Sequence, residues 1–237
     1  MTTDYLWGGR SGATRGPKPA LSLERIAAAA IAIADAEGLA AVSMQRVAAD
    51  LGFTKMSLYR YLPGKAELVA LMVERGIGEP PVLRATDWAA GLKQWAHLLL
   101  AGYLRHPWAL PATVGPRPLG PNELGWMESA LALLDGTGLT GAERLDAVAV
   151  LTGQVRMIAE HTMPEAHLGR AIAEVLHRHG ERFPVLAATM ADATTGQDQA
   201  FDFGLDRILD GLRVLMDARR PRRGAGAGRV GKVRGSS

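Results

Sequence analysis

Lys55, Met56, Ser57, Tyr59, Arg60 and Tyr61 lie within seven residues of one another, in the run FTKMSLYRYLPGK. If that run is helical, Leu58 and Leu62 share one face at i and i+4, and the six other side chains take the remaining circumference. Together they present two cations, a hydroxyl, two phenols and a flexible thioether. A cylinder of this kind fits the major groove of duplex DNA, where side chains read donors, acceptors and thymine methyls. Lys55 and Ser57 suit base edges and Met56 a thymine methyl, while Tyr59 and Arg60 suit phosphate. The plainer alternative is an amphipathic helix pair with a solvated polar face.

The flanking residues are those needed to hold such a helix. Ser43 is placed to cap a helix whose apolar face is Met44, Val47, Ala48 and Leu51. Gly52 ends it, Thr54 caps the next, and that second helix stops before Pro63-Gly64. Two helices joined by a short glycine-containing turn make a helix-turn-helix. Upstream, Ser22 or Leu23 opens a helix ending at Glu37-Gly38, with Leu23, Ile26, Ala30 and Ile33 as its buried stripe. Downstream, Lys65-Ala66-Glu67-Leu68 starts a helix that reaches about Gly76. Lys65 sits at its N-terminus, where backbone N–H groups favour an anion, so a cation there is locally unfavourable unless a phosphate lies close.

These residues resemble the tetracycline-repressor (TetR) family of bacterial transcriptional regulators. The resemblance runs without a gap over about residues 21–75, through LSLERIAAAAIAIADAEG, MQRVAADLG and FTKMSLYRYLPGKAELVALMV. It implies base contacts from Gln45, Lys55, Met56, Ser57 and Tyr61, and phosphate-backbone contacts from Tyr59 and Lys65. The candidate DNA contacts are thus Ser43, Gln45, Thr54, Lys55, Met56, Ser57, Tyr59, Arg60, Tyr61 and Lys65. The segments GPRPLGPNELGWMESALALL and FDFGLDRILDGL look like the ligand-binding domain of the tetracycline-repressor branch. GLTGAERLDAVAVLTGQVRMIAEHTM is similar to the family's long dimerisation helix. Where that branch has a histidine and a glutamine that hold the drug complex, this chain has Thr113 and Ala130; Glu160 matches a glutamate. The departures argue against a metal–tetracycline complex and for an apolar or aromatic small-molecule effector.

The second half reads as helical throughout. Trp88, Leu92, Trp95, Leu99 and Tyr103 have helical spacing, as do Leu124, Met127, Leu131 and Leu134. A helix from about Thr140 to His161 is apolar on more than one face. A last helix, near 198–217, carries Phe201, Leu205, Ile208, Leu212 and Leu215 as a seam. We expect Leu145, Val148, Thr152 and Val155 to join that seam in a four-helix interface between two copies of the chain. Gly204 and Gly211, seven residues apart, would permit close backbone approach. Pairing would place two recognition helices on a near-palindromic operator. For the effector, candidate pocket residues are Trp95, Tyr103, Trp108, Trp126, Met127, Gln154, Met157, Glu160 and His161, with His97 a further polar group.

Composition bounds what else the protein does. The 237 residues include no cysteine, which removes disulfides, thiolate metal sites and a cysteine nucleophile. No apolar run is long enough to span a membrane and the N-terminus lacks a secretory layout, so a cytoplasmic protein is expected. Zinc-protease, P-loop and nucleophile-elbow motifs are absent. Glu174, His177 and His179 lie close in sequence, as do His161 and His167, but His177 and His179 are two apart and make a poor metal pair on a helix. No enzyme activity, metal or cofactor is expected.

Charge divides the chain. Residues 1–78 carry nine Lys/Arg against seven Asp/Glu, residues 79–218 eleven against seventeen, and residues 219–237 seven against none. The acidic middle should avoid DNA. The expected organisation is all-α: a flexible basic arm over 1–20, a three-helix DNA-binding domain over 21–78, a ligand-binding and dimerisation domain over 79–218, and a basic tail over 219–237. Arg15 or Lys18 of the arm is suited to a minor groove. The competing reading is a nonspecific nucleic-acid or architectural protein acting through its basic tails.

Overall fold

The computed structural model describes residues 4–8, 20–161, 165–192 and 200–219, and the side chains of 161–170 lie outside that description. The proposed roles of Arg15, Lys18, the His161 and His167 side chains and most of the basic tail therefore fall outside the described residues. The elements are α1 (Asp4–Trp7), α2 (Leu23–Glu37), α3 (Met44–Asp50), α4 (Lys55–Tyr59), α5 (Lys65–Ile77) and α6 (Trp88–Arg105). They continue with α7 (Ala109–Ala112), α8 (Pro121–Leu133), α9 (Gly141–His161), α10 (Glu165–His179), α11 (Pro184–Asp192) and α12 (Ala200–Arg219). No strand occurs among the described residues. None of their helices is long and apolar enough to cross a membrane.

Capping fixes the helix starts. Ser22, Ser43 and Thr54 each accept a backbone N–H three residues ahead, from Arg25, Arg46 and Ser57. Asp87 does the same for α6, accepting from Ala89 and Ala90. Gly52, at φ +73°, makes the turn between α3 and α4 in a conformation that a side chain would strain. Regular helix in α4 stops at Tyr59, three residues short of the expected end. Pro63 disfavours helical geometry at Leu62, and the last turn tightens so that Tyr61 N–H bonds the Leu58 carbonyl.

Two clusters of buried side chains organise the molecule. The first gathers α2 to α5, and also takes in Leu6 of α1 and Trp108 and Ala112 from the second half. The second is built by α6, α8, α9 and α12. Residues 4–7 are thus not part of a flexible arm. Leu6 is buried, and Trp7 Nε1 donates to the Leu119 carbonyl at 3.0 Å. Burial, with Glu67 nearby, pushes the Tyr5 hydroxyl up to about 12.

α10 and α11 are joined by a tight turn at Gly180–Arg182. His177 and His179 on α10 are exposed. Among the described residues, no group of three His, Asp or Glu side chains is arranged to hold a metal.

Candidate DNA-reading face and effector cavity

The reading segment, α4 and the turn after it, is built around two inward leucines. Leu58 and Leu62 are both 0% exposed, whereas Met56, two residues before Leu58, is 71% exposed. Lys55, Tyr59 and Arg60 are exposed with it, and Ser57 is half-buried. Lys55 Nζ lies 5.4 Å from the centre of the Tyr59 ring, so these two side chains form one cationic-aromatic edge. Gln45 is exposed on α3, and Lys65 is exposed at the first position of α5. The Ser43 and Thr54 hydroxyls are committed to capping, and Thr54 Oγ1 also lies 3.0 Å from Ser57 Oγ.

Tyr61 differs from its expected place on the outer circumference. It packs half-buried against the first cluster, and its hydroxyl donates to the Leu21 carbonyl at 2.9 Å. The phenol therefore ties the end of the reading segment to the start of α2. Arg46, beside Gln45, is engaged by Glu37 at 2.6 Å, which locks α3 to the end of α2.

A second feature lies between α5, α6, α7 and α8: a cavity of about 250 Å³. Its apolar wall includes Val73, Ile77, Leu99 and Trp126, and its polar positions include Tyr103, Thr113, Glu79, Arg105 and His106. Trp126 Nε1 donates to the Gly78 carbonyl at 3.3 Å, and Trp95 Nε1 to the Trp126 carbonyl at 3.0 Å. The Trp95 and Trp126 rings meet edge to face, 6.2 Å between centres. Arg156 reaches in behind this wall. It donates to Thr113 Oγ1 at 2.6 Å, to the Leu110 carbonyl at 2.7 Å and to the Tyr103 hydroxyl at 3.3 Å. Because Tyr103 accepts from Arg156, its own O–H remains available to donate to an acceptor.

Beside the cavity, Glu74 of α5 is the one buried charged residue among those described. Its carboxylate accepts the backbone N–H of Asn122 at 2.7 Å and of Glu123 at 3.3 Å, capping α8 from another helix. Burial pushes this carboxyl up, and the two backbone N–H groups pull it back.

Two family models cover most of the chain. Residues 20–72 match "Bacterial regulatory proteins, tetR family", and residues 80–216 match "Tetracyclin repressor-like, C-terminal domain". The HTH-type transcriptional repressor DrrR1 of Streptomyces coeruleorubidus is 40% identical over 235 residues, spanning 92% of this chain and 87% of that one. Apo ActR of Streptomyces coelicolor superposes with a TM-score of 0.73 at 28% identity, over 85% of this chain and 99% of ActR. ActR in complex with actinorhodin gives 0.71 at 28% identity, over 84% and 97%. The chain belongs to the TetR family. It is a DNA-binding transcriptional regulator rather than an enzyme, and regulators of this family bind operators as dimers and respond to small-molecule effectors.

Within this TetR-family chain, the sequence-derived pocket list divides sharply. Tyr103 and Trp126 line the cavity, and Trp95 supports Trp126 from behind. Trp108 is buried instead in the DNA-reading cluster, and Met127 and Met157 point outward. Gln154 turns toward α12, bonding the Ala200 carbonyl, and Glu160 lies exposed, 3.9 Å from Arg156. His97 is held by Asp202 at 3.1 Å, away from the cavity. The reason is geometric: α9, which carries Gln154, Met157 and Glu160, supplies no lining residue. Arg156, Thr113 and His106 took no place in that list. The one clue to Arg156 was a cation isolated in the apolar run VLTGQVRMIA.

The residues of the expected pairing seam lie mostly against the chain's own second cluster. Val148, Val155, Phe201 and Leu205 are buried inside the single chain, and Ile208, Leu212 and Leu215 pack half-buried on the same cluster. Thr152 is half-buried, its hydroxyl returned to the Val148 carbonyl. Of the nine, Leu145 alone is exposed. Both helices carry a second stripe that faces outward: Val150, Gly153 and Met157 on α9, and Phe203, Arg207, Gly211 and Val214 on α12. Gly204 serves the chain's own packing, since a β-carbon there would strike Gln154.

Proposed function

We propose that this protein is a repressor that binds a near-palindromic operator as a homodimer and is released by a small-molecule effector. The observation that carries the DNA reading is the two-sidedness of α4 and the turn after it: Leu58 and Leu62 wholly inside, with Lys55, Met56, Tyr59 and Arg60 exposed. Gln45, Lys55, Met56 and Ser57 read base edges. Tyr59, Arg60 and Lys65 hold phosphate, and Ser43, Thr54 and Tyr61 position the reading segment. Residues 21–78 form the DNA-reading unit, and residues 79–218 bind the effector and dimerise. The protein acts in the cytoplasm, alongside the DNA it reads.

The effector site is the cavity between α5 and α8. Its apolar and aromatic wall, with a few convergent polar groups, suits a flat aromatic molecule bearing an oxygen that accepts the Tyr103 O–H. The complex of ActR with actinorhodin supports a small-molecule ligand for this chain as well. Dimerisation uses the outward stripes of α9 and α12, where Phe203 and Val214 stand 65% and 71% exposed. Exposed apolar side chains repeated along two adjacent helices favour a second helix pair.

The test is selection of bound duplexes from a random pool by the purified protein. The expected product is an inverted repeat whose half-sites lie about one turn (34–36 Å) or a multiple apart. Failure to enrich any sequence would refute the operator reading. A protein lacking residues 219–237 should enrich the same repeat; loss of enrichment would favour the tail-driven alternative.

A further inference from the structure

One carboxylate joins the cavity wall to the DNA-reading unit. Asp35, in the last turn of α2, accepts the Trp108 indole N–H at 2.7 Å, and the same oxygen lies 2.8 Å from His106 Nδ1. A carboxylate only accepts, so the hydrogen of that second contact sits on Nδ1. His106 lines the effector cavity. Trp108, two residues on, is buried among the side chains of α2 to α5.

Gly76 of α5 lines the same cavity. A β-carbon at Gly76 would lie 3.1 Å and 3.2 Å from two ring carbons of Trp108 and 3.8 Å from the His106 ring. The wall at Gly76 and His106 is thus backed directly by an indole whose N–H is anchored on α2. α2 in turn contacts α3, and Tyr61 ties its leading end to the reading segment.

We propose that this junction of Asp35, Gly76, His106 and Trp108 transmits effector occupancy to the DNA-reading unit. It rests on the effector reading given above. A molecule filling the cavity presses on the Gly76–His106 wall, moves the Trp108 ring and breaks its bond to Asp35. α2 is then released from the second half, and the two reading helices of the dimer lose their operator spacing. The pinned arrangement is the operator-binding one. Close-packed interiors shift between discrete arrangements rather than yielding gradually, so a small displacement of one ring is enough.

The experiment needs no effector. Full-length Gly76→Ala, Asp35→Ala, Asp35→Asn and Gly141→Ala proteins are titrated against the inverted-repeat duplex recovered by the selection. Gly76→Ala places a methyl where the effector would push. Asp35→Ala removes the acceptor without steric load, from a side chain that is partly exposed. Gly141, the first residue of α9, lies outside the cavity lining with open space around it, so Gly141→Ala is the control.

Expected is a loss of duplex affinity of about five- to a hundred-fold for Gly76→Ala and Asp35→Ala, the usual range of coupling between sites. Gly141→Ala should bind like the unsubstituted protein. Asp35→Asn keeps an acceptor for the indole and should recover part of the loss. Unchanged affinity in either Gly76→Ala or Asp35→Ala, or no recovery by Asp35→Asn, would overturn the proposal. An unsubstituted protein that enriches no duplex would instead count against the operator reading.

Discussion

The reading helix and the effector cavity place function in opposite ways. In α4 the outer face and the buried face belong to the same few residues, so Leu58 inside and Met56 outside follow from one helical period. The cavity draws on residues from Val73 to Trp126, carried by four helices, and no single period marks it. A convex functional surface is local in sequence. A concave one is made by tertiary packing, and side chains one position apart, such as Trp126 and Met127, end on different sides of the wall.

The contrast can be broken or sharpened by substitution. The largest effects should come from the inner faces. Leu58→Ala and Leu205→Ala should each lower the unfolding free energy by about 2–5 kcal/mol in urea titration, since both leucines are fully buried. Lys55→Ala should change it by no more than ~0.5 kcal/mol. Comparable destabilisation by Lys55→Ala would mean that the outer face of α4 is not free for DNA.

On binding the order reverses. Lys55→Ala should cost about 1–3 kcal/mol against the selected duplex and relax base preference, while Lys65→Ala should weaken all sequences alike and reduce the salt slope by about one. Equal losses on selected and scrambled duplexes for Lys55→Ala would make Lys55 a phosphate contact. Phe203→Ala tests the outward stripe of α12. Sedimentation equilibrium should show dimer affinity weakened by ~1 kcal/mol or more, and an unmoved dimer constant would place the interface elsewhere.

The smallest effect expected concerns the tie between α9 and α12. Hydrogen bonds from Arg219, then Thr140, hold the Glu143 carboxyl at about 2 rather than the ordinary 4.5. The folded value lies below the unfolded one, so the contribution is complete above about 4.5 and fades as pH falls from there through about 2. Arg219→Ala should therefore lower Tm slightly at neutral pH, and the difference should shrink on acidification through that window. A difference that grows in acid would contradict the assignment.

What the sequence made legible follows the same physics. The caps at Ser22, Ser43 and Thr54, the turn at Gly52 and the inward Leu58 and Leu62 are short-range devices, and each was readable from its neighbours. α9 was readable as a helix with more than one apolar face and α12 as one with a single seam, but periodicity does not say which face turns inward. Phe201 and Leu205 proved internal, and Phe203 and Val214 external. Four residues at α1 are too few to show a period, so Leu6 went unnoticed as a core residue. The Asp35–Trp108 and Glu74–Asn122 bonds span 73 and 48 residues, and only folding brings such partners together.

The most direct test of the central claim is a competition titration at fixed salt: selected inverted repeat against scrambled duplex, for the unsubstituted protein and for a Lys55→Ala/Met56→Ala variant. We predict a strong preference for the repeat in the first and a much reduced preference in the second, with folding stability unchanged. Equal preference in both proteins would contradict the assignment of α4 as the helix that reads the operator.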